Sequence, residues 1–293
     1  MPLELPNVTL CCIDTRFPEL AEYSLHRSTT VAQVRFGEVL LFTAESRRRF
    51  EQRHATGVRV VGIDDIRSKN DYSRFVIRDL PDLVSGKHVL VTQWDSFVLD
   101  ASAWREAFLE FDYIGAVWPF LPPPFRVGNG GFSLRSRRLL ETARELVTEV
   151  RQNEDLLICM SHRRELEARY GVRFADEATA HAFAFERDAP AQRAFGFHGL
   201  FNFDLAFGRD ELERWVEAMP APLADTIEGA ELAVRLFERG ERATAQAIVR
   251  KRILSNPGDP MTQRLALKGW SRNEACWCGS GNAFKRCHGS VAA

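Results

Sequence analysis

The chain of 293 residues contains no uninterrupted apolar run of about 18 residues, the length at which a stretch reads as a membrane-spanning helix. No transmembrane span is therefore expected. It also lacks an excess of positive charge: 39 Lys and Arg stand against 40 Asp and Glu, for a net charge of −1. General nucleic-acid binding, which draws on a basic surface, is not expected. The opening residues, MPLELPNVTLCCID, lack the basic and apolar segments of a secretory signal. The expected location is cytoplasmic, where thiols stay reduced and serve as metal ligands, catalytic groups or core residues rather than disulfides. With 45% apolar and 27% charged residues, the composition excludes disordered, collagen-like and coiled-coil chains.

What is present divides into unlike parts. The first 120 residues alternate strand and helix signals. Strands are expected at Asn7–Ile13, Glu38–Thr43, Val58–Ile63 and His88–Thr92, with helices at Glu19–Ser28, Ser46–His54 and Tyr72–Asp79. That alternation predicts parallel βαβ units, and ligands of such sheets bind beyond the carboxyl ends of the strands. Asp14, Asp64, Asp65 and Asp95 fall at such ends. Ile114–Trp118 and Val172–Ala175 read as further short strands, and Ser136–Val150 and Leu156–Tyr170 as helices. From about residue 208 the pattern is helical, with helices at Arg209–Ala218, Thr226–Arg239 and Arg242–Ser255 and a further one after Pro260. The expected domains are 1–207, 208–268 and 269–293.

Three of the six cysteines crowd the end, in Cys276-Trp277-Cys278-Gly279-Ser280-Gly281 and Cys287-His288-Gly289. Three thiolates and one imidazole make a Cys₃His set for structural zinc, and Gly279 and Gly281 permit the tight turn between the ligand pairs. So short a segment has no core of its own, so metal binding would supply its folding free energy. The alternative is incidental cysteines in a disordered tail. The run from Arg272 to Gly289 resembles the SEC-C motif, the zinc-binding tail of the preprotein translocase ATPase and of many other bacterial proteins. That resemblance implies Zn²⁺ on Cys276, Cys278, Cys287 and His288, and a docking role toward a protein or ribosome partner.

In the body, Gln93-Trp94-Asp95 follows the fourth strand. Upstream lies Ser68-Lys69-Asn70-Asp71-Tyr72-Ser73-Arg74. Downstream come Gly128-Asn129-Gly130-Gly131-Phe132-Ser133, then Asn153-Glu154-Asp155, then Phe197-His198-Gly199. In this order the segments resemble a GT-A-like glycosyltransferase family of uncharacterised bacterial and fungal domains, over residues 7–205. The resemblance implies a Rossmann-like mixed α/β sheet flanked by helices, followed here by the helical segment and the zinc knuckle. It implies a nucleotide-sugar donor and an acceptor the sequence does not name. Asp95 and His198 would hold Mn²⁺ or Mg²⁺ on the diphosphate. Asp14, Thr15, Tyr72, Arg74, Gln93, Asn129, Gly130 and Gly131 would contact the donor. Asp155, with Glu154 second, would be the general base of an inverting reaction. The family's Asp-x-Asp element is Gln93-x-Asp95 here, an amide in place of one carboxylate.

Taken singly, each residue has a plainer explanation. Asp95 is a strand-end turn residue, Gly130-Gly131 a turn, Glu154-Asp155 a helix start, His198 a core histidine, and Tyr72 and Arg74 helix packing and solvated charge. Asp14-Thr15 is either an N-cap or a contact to the nucleotide. Cys11 and Cys12 read as strand core. A second function class follows from Gln93: a catalytically degenerate nucleotide- or glycan-binding adaptor that docks through its tail.

Overall fold

Val8–Ile13 is buried without a break on both faces, the pattern of a strand inside a sheet rather than at its rim. The computed structural model describes residues 1–44, 57–188, 193–278 and 280–290; the helix expected at Ser46–His54 and the turn residue Gly279 lie outside them. Two compact units result, Met1–His198 and Gly199–Ala293.

Among the described residues of the first unit, the strands are β1 (Leu3–Ile13), β2 (Val34–Thr43), β3 (Arg59–Gly62), β4 (His88–Thr92), β5 (Ser96–Val98), β6 (Tyr113–Gly115), β7 (Phe132–Ser136), β8 (Ala184–Phe185) and β9 (Gly196–His198). Six form one sheet in the order β3-β2-β1-β4-β7-β6; the other three form a small sheet in the order β5-β9-β8. β1 to β4 run parallel, while β7 is antiparallel to β4 and β6 to β7. The chain is thus a mixed α/β protein, as the sequence predicts. The first crossover leaves β1 toward β2 and a later one returns to its other side as β4. The β1/β4 boundary is therefore the switch point at which such sheets open a crevice.

Both faces of the large sheet are covered. Helix Pro18–His26 sends Ala21 and Leu25 into a core with Leu10, Leu41, Leu90 and Leu134. On the other face, Phe75, Val76 and Leu80 pack on Cys11, Leu40, Phe42 and Val91. Cys11 and Cys12 are wholly buried, and burial pushes the Cys11 thiol up to about 12, which suits core packing rather than nucleophilic chemistry.

The structure departs from the sequence expectations at several places. The helix expected to reach Val150 ends at Leu146, where Arg78 donates to the carbonyls of Arg144, Val147 and Thr148 and so satisfies its open end. The helix expected over Leu156–Tyr170 breaks at His162 into Glu154–Ser161 and Arg163–Tyr170. Val172–Ala175 forms no strand; Phe174 makes one isolated bridge to Tyr113 at the sheet edge. β7, unrecognised in the sequence, is a central strand.

The second unit is helical as expected: Arg209–Ala218, Ala221–Ala224, Ile227–Glu238, Arg242–Ser255 and Pro260–Gly269. Gly240, at φ +78°, closes the hairpin between the third and fourth of these. Ala230, Ala233, Ala245 and Ile248 fill its core.

A Cβ on Gly115 of β6 would lie 2.1 Å from the backbone oxygen of Asn129, which has no flexible side chain to yield. Gly115→Ala is expected to cost about 1–3 kcal/mol, read as a lower denaturation midpoint. Gly62→Ala, whose Cβ would meet nothing within 4 Å, should leave the midpoint in place.

Candidate functional site

The site is assembled by strand pairing. In the antiparallel β4·β7 pair, Thr92 faces Phe132, so Gln93 leaves one strand where Gly130-Gly131 enters the other. In β5·β9, Ser96 faces His198, which brings His198 beside Asp95. Ser96 ties the two sheets together at this point. Its hydroxyl accepts from the Gln93 N–H at 2.8 Å and donates to the Gly131 carbonyl at 2.7 Å. A Cβ on Gly131 would stand 2.2 Å from His198 Nε2, so only glycine admits the imidazole here.

These segments enclose a cleft of about 540 Å³ at the carboxyl ends of β1 and β4. Its lining includes the cations Arg16, Arg67 and Lys69, the hydroxyls of Thr15 and Ser68, the carboxylates of Asp14, Glu154, Asp155 and Glu186, and the side chains of Gln93, Asn129 and His198. Cations and carboxylates share one pocket, a lining suited to a ligand that carries negative charge and also needs a proton acceptor.

His198 is the hub. Its Nε2 lies 3.1 Å from Gln93 Oε1 and 3.5 Å from Asp95 Oδ1; its Nδ1 lies 3.1 Å from Glu186 Oε1 and 3.2 Å from Asn129 Nδ2. Burial alone would lower its pKa, but Asp95 and Glu186 outweigh it and push it up to about 10. With oxygens on both ring nitrogens, the charged imidazole is the favoured form.

Beneath the glycine loop runs a buried ion pair. Arg135 of β7 has no exposed surface. Its Nη2 donates to Glu154 Oε1 at 2.8 Å and to the Gly130 carbonyl at 3.3 Å, and its Nε to Ser133 Oγ at 2.9 Å. Glu154 in turn donates its backbone N–H to Ser73 Oγ at 3.0 Å. Asp155 faces the cleft. It accepts from the N–H of Gly130 at 3.2 Å and of Leu156 at 2.8 Å. Burial first, and the Glu154 carboxylate second, push its pKa up to about 7.

Of the residues singled out in the sequence, Asp14, Thr15, Tyr72, Gln93, Asn129, Gly130, Gly131, Glu154, Asp155 and His198 line this cleft. Asp95 is buried and reaches the cleft through His198. Asp14 caps the turn into the first helix, accepting from the N–H of Arg16 at 2.7 Å and Phe17 at 2.5 Å. Thr15 Oγ1 accepts from the Ile66 N–H at 3.0 Å. Arg74 is exposed and lines a separate hollow with Asp64, Asp65 and Asp71. The cations that do line the cleft are Arg16, Arg67 and Lys69. Arg135 and Glu186 carry no motif that marks them in the sequence.

Residues 57–198 match the family model described as a protein of unknown function, DUF5672, and residues 272–290 match the SEC-C motif. A search of curated proteins gives no match. Among solved structures, the chain is similar to the galactosyltransferase LgtC in complex with donor and acceptor sugar analogs, at 12% identity and TM-score 0.42, over 65% of this chain and 86% of that one. It is similar to mouse xyloside xylosyltransferase 1 in its apo form, at 11% identity and TM-score 0.42, over 67% and 98% of the two chains. It is also similar to the glycosyltransferase GlyE of Streptococcus pneumoniae TIGR4, at 16% identity and TM-score 0.37, over 57% and 44%.

The SEC-C segment forms a second centre, within the helical unit. The ligand atoms of Cys276, Cys278, Cys287 and His288 all lie within 4.8 Å of one another, a Cys₃His cluster compatible with zinc. His288 Nδ1 faces Cys287 Sγ at 3.1 Å and Cys276 Sγ at 3.3 Å. Hydrogen bonds from Ser280 pull the Cys278 thiol down to about 6, toward the thiolate a metal requires. Glu274 anchors the segment, accepting from Arg242 at 2.7 Å and Gln246 at 2.8 Å.

The raised pKa of Asp155 has a stability consequence of fixed sign. An acid whose folded pKa lies above its unfolded value of 3.8 gives stability that is complete at low pH and lost as pH rises through about 7. Asp155→Asn has no charge to bury. It should melt above the wild type at about pH 8, and the gap should close toward about pH 4. Thermal melts of both proteins at a series of pH values read this directly.

Proposed function

We propose that the Met1–His198 unit is a glycosyltransferase that uses a nucleotide-diphosphate sugar and inverts the anomeric centre. The observation that carries the reading is convergence. Gln93, Gly130-Gly131, Asp155 and His198 are far apart in sequence, belong to one motif order, and line one cleft together with Arg16, Arg67 and Lys69. Those cations suit a diphosphate, to which guanidinium and ammonium groups bond with charge assistance. The acceptor hydroxyl then attacks the anomeric carbon. A new C–O bond forms as the bond to the diphosphate oxygen breaks, and its electron pair leaves with the nucleoside diphosphate. Asp155 takes the hydroxyl proton; a base with a pKa near 7 is matched to that task.

The donor set also fits a divalent cation. Asp95 Oδ1 and Gln93 Oε1 both lie within 3.5 Å of His198 Nε2, so that once the imidazole gives up its proton to the solvent, one nitrogen and two oxygens would converge on the ion. Mixed N/O sets suit Mn²⁺ better than Mg²⁺. Such an ion would supply charge neutralisation for the departing diphosphate. Gln93 favours a second reading, a binding module in which the cleft holds a nucleotide or glycan without turnover. In either case the tail is read as a closed structural zinc site that docks the chain to a protein or ribosome partner.

Thermal shift with nucleoside diphosphates and sugar nucleotides, with and without Mn²⁺, tests the donor site. A Mn²⁺-dependent rise for one of them, lost in Asp95→Ala, is the expected result; no rise for any of them sinks the transferase reading. Asp155→Asn should keep the shift and lower turnover by about 10²–10⁴-fold. The same shift without turnover, in the presence of any acceptor or of water, would favour the binding module. For the tail, metal analysis should find stoichiometric zinc in the wild type and background zinc in Cys276→Ser.

A further inference from the structure

The geometry points to a division of labour between adjacent carboxylates: Arg135 and Glu154 are positioning residues that lock each other, and Asp155 alone is left to exchange a proton. This rests on the cleft being a transferase site. A strand such as Phe132–Ser136 would pack as well with an apolar residue at 135. A buried ion pair is a poor source of stability compared with apolar packing of the same volume. Here the pair instead organises the glycine loop. Gly130 is held from both ends, its carbonyl by Arg135 Nη2 at 3.3 Å and its N–H by Asp155 Oδ2 at 3.2 Å. Glu154 is turned inward onto Arg135, with its side chain 6% exposed. Asp155 accepts from the backbone N–H groups of Gly130 and Leu156, and it faces the cleft.

The charged and titratable groups that act on Asp155 are Glu154, Arg135, Tyr113 and Cys159, with Tyr72 packed near the first two. Burial pushes both tyrosines and the Cys159 thiol further up, so all three are neutral at ordinary pH. Beyond burial, which raises it most, the protonation of Asp155 is set by one negative and one positive neighbour. Removing each should move it in opposite directions, an outcome that simple packing roles would not give.

The test is a carboxyl-detected NMR titration of Asp155 in the full chain, with a pH profile of kcat/KM alongside. Four proteins are compared: wild type, Arg135→Lys, Arg135→Met and Glu154→Gln. Arg135→Met should raise the Asp155 midpoint by about one pH unit or more, Glu154→Gln should lower it by a similar amount, and Arg135→Lys should leave it near wild type. kcat should fall in Arg135→Met with little change in KM. Midpoints that stay put, or that move together, overturn the inference. If Arg135→Met does not fold, the Glu154→Gln shift decides. Sugar-nucleotide thermal shifts on the same proteins separate the two claims. Opposed midpoint shifts with no nucleotide binding would uphold this pairing and reject the transferase reading. Nucleotide binding with immobile midpoints would do the reverse.

Discussion

β4 lies between a parallel neighbour, β1, and an antiparallel one, β7, and that double pairing decides where the functional side chains land. Because β4 and β1 end together, Asp14 and Gln93 emerge side by side. Because β7 runs the other way, its beginning rather than its end meets the same edge, and Gly130-Gly131 arrives there. An all-parallel sheet would have put that loop at the opposite end. The small β5-β9-β8 sheet then needs only one residue pair, Ser96 with His198, to bring the last functional side chain in. Ser96 holds both sheets at this point through side-chain bonds to Gln93 and Gly131.

Much of this was legible in the sequence, and the part that was not has a physical reason. Parallel strands buried on both faces write continuous apolar runs, so Leu10–Ile13, Leu40–Phe42 and Val89–Val91 mark themselves. The Cys₃His tail is legible for a different reason: its residues are local, and a metal-binding set requires both residue types and spacing. β5, β8 and β9 are two or three residues long, too short for any period to show. Their existence depends on pairing partners far away in the chain. Arg74 and Arg67 show the same limit at a single residue. Both are exposed cations near one helix start, and only the path of the chain after β3 determines that Arg67 lines the cleft and Arg74 does not.

On the proposed reading, the charge pattern of the cleft makes an amide at position 93 tolerable. A site of one carboxylate, one imidazole and one neutral amide oxygen would hold a dication less firmly than two carboxylates do. Neutralising a departing diphosphate would then not fall to the ion alone, because Arg16, Arg67 and Lys69 line the same cleft. Gln93 also meets His198 through its oxygen, a contact that a carboxylate there would make with added charge.

β7 escaped the sequence reading because Arg135 interrupts the apolar pattern that a central strand should have. The same residue is the most deeply buried cation of the site, bonded to Glu154, to the Gly130 carbonyl and to Ser133. These two facts have one cause. Local rules of sequence describe what packs well, and a chain departs from them where another requirement outweighs packing. Here the requirement is a fixed positive charge under a loop of glycines that has almost no side-chain contacts of its own to hold it. Glycine gives the loop its close approach to His198 and also its freedom to wander. The Arg135–Glu154 pair removes that freedom from below, and Asp155 and Ser96 remove it from the cleft side. A strand that looks wrong by pattern is thus the support that lets this edge of the cleft be built from residues too small to support themselves.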